Sequence, residues 1–426
     1  MNKHRLIPFG WILSLRHFVM TFGLVSAIVG AGGMARADTH YVNKANPTPT
    51  PGFTNGWASA ATNINDAVDW SSNGDTVLVW PGVYNTGGRT NVAGYDGVRQ
   101  LTNRVCIRKA ISLVGVSANP VDTLIVGAPD PATGTNGPGA IRCLFILPGA
   151  SISGFTLTNG FTGTSGMDAS GGGAFCSDRY YVENNNVIFS NCVIAGCRAA
   201  SQGAGVVGGT LYSCMLRGNY SLSYGSATTG SILKNCLVED NDSDRGWNFC
   251  ATFNSTLIGC TVRNNPNGFA YGGTLTNCTV SGTVHGNTGV VLYNSLFVNN
   301  TNSGFTGRAI NCTFVGNNVW GCGSVTNCVI WSNTSASVAI AAYSCVQGSL
   351  LPGPGNITNH PLFVDYGAGN YRLMNNSPCV NTGTNQDWMT NTVDLTGVRR
   401  IIDGTVDMGA YEFLPRGTII TILGAP

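Results

Sequence analysis

Charge is scarce in this chain. Asp, Glu, Lys and Arg make up 10% of its 426 residues, and the formal net charge is +2. Exposed helical faces are usually built from Lys, Glu and Arg, so an architecture of long helices is excluded. No cluster of Lys or Arg interrupts the sequence, and phosphate-driven nucleic-acid binding therefore has no electrostatic footprint. Histidine is scarcer still. Of five, His4 and His17 fall near the start and His40, His285 and His360 stand isolated, which assembles neither a triad nor a histidine metal site. Beyond residue 37 no apolar run reaches the ~18 residues that a membrane-spanning helix needs.

The start of the chain reads as an export signal. Lys3, His4, Arg5 and Arg16 form a basic beginning, Phe18 to Gly33 an apolar stretch, and Ala35-Arg36-Ala37 a small-x-small cleavage site. Residues 1–37 are expected to be a signal peptide. The mature chain would begin at Asp38 and reside in the extracellular space, at the cell surface or in the periplasm, with no transmembrane segment left.

Glycine, with 58 residues, and cysteine, with 15, are abundant. Cys192, Cys214, Cys236, Cys260, Cys278, Cys312, Cys328 and Cys345 sit in a phrase reading roughly apolar-x-Asn-Cys-x-apolar-x-x-Asn, with Ser295 in the one missing slot. The steps shorten from 22–24 residues to 16–18. A repeat this short, rich in β-branched residues, Asn and Gly, predicts a coil of stacked strands. Aligned on the cysteine, position −3 runs Phe189, Leu211, Leu233, Leu257, Leu275, Leu292, Ala309, Val325, Ala342. Position +2 runs Ile194, Leu216, Val238, Val262, Val280, Phe297, Phe314, Ile330, Gln347. Cysteine and the +2 residue share one strand face and are expected to point inward. Position +5 is Asn in six turns: Asn219, Asn241, Asn265, Asn300, Asn317 and Asn333. A column of Asn fits a bend at which amides bond to the neighbouring turn.

An exported protein with many cysteines ordinarily carries disulfides. In a parallel coil, however, equivalent residues lie about 4.8 Å apart with parallel side chains. Disulfides need Cβ atoms near ~3.8 Å and converging vectors, so the column is expected to be buried free thiols. It has no histidine and no C-x-x-C pair, which argues against metal. Cys197, Cys250 and Cys322 lie off the column and stay open to bridging.

Ahead of the regular turns, Thr39 to Val42 reads as a strand. Ile64, Ala67 and Val68 fall on one face of a short helix with Thr62 as the expected N-cap, and Gly74 to Tyr84 reads as turn, strand and turn. An amphipathic helix placed there would close the open apolar end of the coil. Long connections at 85–102, 128–138 and 163–186 are where function is expected.

The phrase Gly74-Asp75-Thr76-Val77-Leu78-Val79-Trp80-Pro81-Gly82-Val83-Tyr84 resembles the first turn of right-handed parallel β-helix proteins of the pectin-lyase-like fold. Near the end, His360-Pro361-Leu362-Phe363, Tyr371-Arg372-Leu373, Ser377-Pro378-Cys379-Val380-Asn381-Thr382-Gly383, Asp394-Leu395-Thr396-Gly397-Val398-Arg399 and Val406-Asp407-Met408-Gly409-Ala410-Tyr411-Glu412 resemble the choice-of-anchor Q module of exported bacterial β-helix proteins. His360 and Asn381 stand where that module usually has Asp, so two carboxylates that a cation site would use are missing. The resemblance implies an all-β, right-handed parallel β-helix (solenoid) with a short N-terminal capping helix and a C-terminal capping module. Its expected divisions are 1–37 signal peptide, 38–350 β-helix with regular rungs about 187–347, 351–413 C-terminal module and 414–426 tail.

For activity, Glu239-Asp240-Asn241-Asp242-Ser243-Asp244-Arg245-Gly246-Trp247 is the one acidic cluster. Glu239, Asp240, Asp242 and Asp244 are the residue types that hold Ca2+, and Trp247 the type that stacks on a sugar. Asp240, Asp242 and Asp244, with Arg245 and Arg263, are the catalytic candidates for a lyase or a carboxylate-dependent glycosidase. Register places Arg217, Glu239 and Arg263 on adjacent turns facing outward, so a solvated ion-pair column is the competing reading. Arg179, Tyr180 and Tyr181 in the 163–186 connection are the other carbohydrate-binding candidates. The expectation is an exported coil that interacts with a polysaccharide or cell-surface glycan and has no evident catalytic centre. The alternative is a polysaccharide lyase or glycoside hydrolase acting in a cleft along it.

Overall fold

Three parallel sheets wind around one core. In the computed structural model, which describes residues 37–90, 101–176, 186–244, 250–284, 287–301 and 305–415, they hold 13, 12 and 8 strands, each pairing with its equivalent one turn later except the edge strand Arg89–Thr90, which runs antiparallel to Thr102–Ile107. This is the expected right-handed parallel β-helix, with one short α-helix among the described residues, at its N-terminal end. The chain from Ala37 onward forms one compact unit. Apart from Ala37, the expected signal peptide lies outside the described residues, as does the tail beyond residue 415.

Asparagine before the cysteine makes the corner. Asn191, Asn235, Asn277, Asn294, Asn311 and Asn327 all adopt φ of 47–54° and turn the first sheet into the second through one left-handed residue. Asn enters this region more cheaply than other non-glycine residues because its short amide bonds locally. Four residues after the column a second left-handed corner follows, filled by Gly196, Gly218, Asp240, Asn264, Gly282 and Asn299.

Next comes the Asn ladder, as expected. Asn219 Nδ2 donates to Asn241 Oδ1 at 2.9 Å, Asn241 to Asn265 at 3.2 Å, Asn300 to Asn317 at 2.8 Å and Asn317 to Asn333 at 3.1 Å. The −3 and +2 columns point inward in register and are buried. The thiols lie between them and are more than small hydrophobes. Cys236 Sγ accepts the amide of Cys214 at 3.4 Å and donates to the Leu211 carbonyl at 3.4 Å.

That pairing explains why serine fits the slot, and it also corrects the register of the last turn. Ser295 Oγ accepts the Cys278 amide at 3.1 Å, and Ser344 Oγ accepts the Cys328 amide at 3.0 Å. Ser344, not Cys345, therefore closes the column. Cys345 pairs with Val329 one place later and faces outward, while Val346 and Ala341 take the inward positions expected of Gln347 and Ala342. The final step is then 16 residues, equal to the one before it.

At the N-terminal end, helix Ile64–Trp70 buries Ile64, Ala67 and Val68 as expected. Its N-cap is Asn63 rather than Thr62: the Asn63 side chain accepts from the Asn65 amide at 2.9 Å. At the other end, two antiparallel hairpins belong to the C-terminal segment: Phe363–Asp365 with Asn370–Leu373 packs on the outer face of the second sheet, and Ile401–Ile402 with Thr405–Val406 packs on Tyr293 and Ile310 of the first. Phe363, Leu373, Cys379 and Met408 cover Val315, Val329 and Cys345, which would otherwise face water.

Three carboxyl groups and one guanidinium, those of Asp394, Asp407, Glu412 and Arg400, lie buried together in this segment. Arg400 Nη2 meets Glu412 Oε1 at 3.1 Å, both side chains almost fully buried. Asp394 accepts the amides of Thr396, Val398 and Glu412, and Asp407 those of Asn381 and Phe413. The motif carboxylates are thus spent on backbone and on one arginine, which makes them the internal frame of the cap.

Candidate surface for carbohydrate contact

Three consecutive turns place chemistry on the outside. The second sheet aligns Arg217, Glu239 and Arg263 at one outward position, as the repeat implied. Arg263 grips Glu239 through Nη2 at 2.6 Å and Nε at 2.7 Å, with Arg263 half exposed. The Arg217 guanidinium is exposed and has no ion-pair partner among the described residues. An ion pair this exposed contributes about 1 kcal/mol at most.

Around the corner, a three-stranded sheet of Arg198–Ala199, Tyr220–Ser221 and Asp242–Ser243 lines up Arg198, Tyr220 and Asp242. The Arg198 guanidinium carbon stands 5.0 Å from the centre of the Tyr220 ring. Desolvation raises the Tyr220 pKa, the carboxylates of Asp244 and Asp242 raise it further, and Arg198 opposes them. Tyr220 is therefore a protonated phenol at neutral pH, suited to donating a hydrogen bond and unsuited to abstracting a proton.

The acidic residues are dispersed by the corner itself. Asp240 occupies the left-handed position, with φ of 54°, so it does not share an extended face with Asp242 and Asp244. Asp242 Oδ1 accepts the Ser243 amide and the Asn267 side chain, and Glu239 is held by Arg263. Among the described residues no three His, Cys, Asp or Glu side chains gather as a metal site. Glu239, Asp240, Asp242 and Asp244 are not brought together as one donor set among the described residues. Arg245, Trp247, Arg179, Tyr180 and Tyr181 lie outside the described residues, as do His285 and the Cys322 side chain.

An aromatic strip on the adjoining third sheet has no counterpart among the residues that the sequence singled out. Phe253 and Tyr271 pair in register, their inward neighbours Thr252 and Ala270 being buried, so both rings face outward. Tyr224 stacks on Phe253 at 4.8 Å between centroids, Phe253 on Tyr271 at 5.5 Å, and Tyr224 lies 5.9 Å from Tyr271. All three are partly exposed. Gly225 permits the approach: a Cβ there would meet the Thr228 carbonyl at 2.4 Å and the Phe253 Cβ at 3.1 Å. The 18-residue spacing of Phe253 and Tyr271, equal to the step from Cys260 to Cys278, was the available signal.

No protein-family model matches the chain, and no curated protein matches it. Similar solved structures include the pectate lyase Pel9A, at 15% identity and a TM-score of 0.46 over 88% of this chain and 97% of that one. A rhamnogalacturonan lyase follows at 10% identity and 0.43, over 78% and 92%. The A-module of the mannuronan C-5 epimerase AlgE4 of Azotobacter vinelandii is similar at 12% identity and 0.37, over 75% and 100%. Similarity at this level speaks to neither substrate nor reaction.

Proposed function

We propose that this chain is an exported, carbohydrate-binding coil that takes a polysaccharide along the outer surface of the turns between Arg198 and Tyr271. The observation that carries this reading is the juxtaposition, on shared turns, of the Arg198–Tyr220–Asp242 column and the strip of Tyr224, Phe253 and Tyr271. Partly exposed rings offer apolar area for sugar C–H faces. Tyr220 and Asp242 supply a donor and an acceptor for hydroxyls, and Arg198 and Arg217 offer guanidinium groups to acidic sugars. Among the described residues no helix is long and apolar enough to cross a membrane. The division into signal peptide (1–37), coil (38–350), C-terminal module of the choice-of-anchor Q type (351–413) and tail belongs to the same proposal.

Affinity electrophoresis against acidic and neutral polysaccharides tests it. Retardation by at least one polysaccharide, weakened at least tenfold by Tyr224→Ala, is expected, and Arg198→Ala should weaken acidic polysaccharides selectively. Equal mobility in every gel sinks the proposal. Chelator is expected to leave retardation unchanged, because Glu239 and Asp242 already have protein partners.

A second reading is a polysaccharide lyase or glycoside hydrolase acting on the same face, favoured by a protonated Tyr220 between Arg198 and Asp242 and by Arg217, which has no ion-pair partner among the described residues. Release of unsaturated uronate or new reducing ends, lost in Tyr220→Phe, would establish it.

A further inference from the structure

Cys345 owes its position to the register change in the last turn. In the column, thiols on successive turns lie side by side and point the same way, a geometry that disulfides do not adopt. Cys345 is one place off that column, on the outward face of the second sheet, where the C-terminal segment covers it. Cys379 approaches from that segment, so the two side chains come from opposite sides of one interface. Both are fully buried, in a cluster with Val329, Phe363, Leu373 and Met408. The backbone holds each in place: the Cys345 amide donates to the Cys328 carbonyl at 2.8 Å, and the Met408 amide to the Cys379 carbonyl at 2.9 Å. Cys345 and Cys379 belong to one contact cluster, and the Cys345 side chain, with burial, raises the Cys379 pKa.

We infer that Cys345 and Cys379, both free thiols in this structure, close on oxidation to a disulfide that staples the C-terminal segment to the last turn of the coil. The oxidant is a small-molecule disulfide such as oxidised glutathione. One cysteine thiolate attacks it, forming a mixed disulfide and releasing one thiol. The second cysteine thiolate then displaces the other, so two cysteine thiols become one disulfide and one oxidant disulfide becomes two thiols. Because both sulfurs are buried in the folded chain, the exchange takes place while the segment docks.

The test refolds the full chain from denaturant in a buffer of oxidised and reduced glutathione, alkylates it in denaturant, digests it without reduction and maps the peptides by mass spectrometry. The expected result is a linked peptide pair containing Cys345 and Cys379, two hydrogens lighter than the sum of its parts, with Cys214, Cys236 and Cys260 recovered alkylated. Recovery of Cys345 and Cys379 as alkylated thiols, or of either linked to another cysteine, overturns the inference. A second measurement needs no variant. Adding reductant to the oxidised protein should speed proteolytic cleavage within 351–413 at least tenfold, whereas an unchanged rate counts against the staple. Cys379→Ser, where it folds, should cleave at the fast rate with or without reductant.

Discussion

Asn241 serves two turns at once. Its Oδ1 accepts both the amide and the Nδ2 of Asn219, and its own Nδ2 donates to the Leu216 and Glu239 carbonyls and to Asn265. Asn241→Ala would leave buried donors of Asn219 without an acceptor, at about 1–3 kcal/mol for each unsatisfied group. A loss of about 2–4 kcal/mol in unfolding free energy by urea denaturation is expected, and a loss under ~0.5 kcal/mol would show that the ladder does not stabilise the coil. Corner residues obey a different rule. Asn235, with φ of 53°, should tolerate glycine within about 0.5 kcal/mol, while alanine should cost about 1–2 kcal/mol, because it keeps the Cβ that crowds the carbonyl and loses the amide that bonds locally. Much of this was legible in the sequence, since Asn, Cys and Leu recur where the backbone needs a left-handed corner, a small polarisable filler and an apolar plug. Cysteine identity is a false ruler in the last turn, where Ser344 and not Cys345 fills the slot. In the structure the slot selects a small hydrogen-bonding side chain, which Ser344 supplies. Gln347 at a position otherwise apolar was the sign of the slip.

At the scale of the element, the C-terminal segment carries its own pH dependence. Asp394, Asp407 and Glu412 surround the single guanidinium of Arg400, so full ionisation would bury a net charge of about −2 where desolvation is costly. Burial pushes Glu412 up to about 9 and Asp407 up to about 6, only partly opposed by Arg400. The sign follows from proton counts. Between the ordinary carboxylate range and these raised values the folded state binds more protons than the unfolded state, so stability falls as pH rises. Asp407 contributes that fall up to about pH 6 and Glu412 up to about pH 9. Protease resistance of residues 363–413 should therefore decline from pH 5 to pH 9. Glu412→Gln, which carries no ionisable group, should flatten the upper part of that profile, and an unchanged slope would remove Glu412 as its cause. The anchor-like phrases made the segment visible in the sequence. Which of its carboxylates share one arginine was not, because Asp394, Arg400, Asp407 and Glu412 meet only through the fold.

At the scale of the whole molecule, the coil has a reporter in nearly every regular turn. Cys192, Cys214, Cys236, Cys260, Cys278, Cys312 and Cys328 are all buried, each hydrogen-bonded through Sγ to a backbone carbonyl. A stack in which each turn contacts only its neighbours can open at its ends independently of its middle. Here both ends are closed, by helix Ile64–Trp70 at one and, at the other, by residues 351–357, where Leu351 packs on the core and Ile357 pairs with Cys345. With no free end to fray, opening any turn means breaking two inter-turn interfaces. Isotope-coded alkylation of the native protein, quantified peptide by peptide, should show these seven thiols reacting slowly and with rates within about threefold of one another. Denaturant should accelerate all of them together. Faster labelling of Cys312 and Cys328 alone would mean that the C-terminal segment is a loose cover, and rapid labelling throughout would break the inward register. The aromatic strip fits the same logic. A rigid stack of turns holds Tyr224, Phe253 and Tyr271 at fixed spacing before any ligand arrives, so binding there would lose little ordering entropy. Gly225→Ala, which forces Cβ against the Thr228 carbonyl, should lower polysaccharide retardation about as much as Tyr224→Ala while leaving the labelling rates of Cys260 and Cys278 unchanged. Retardation at wild-type strength in Gly225→Ala would separate ring placement from binding and move the contact surface off the strip.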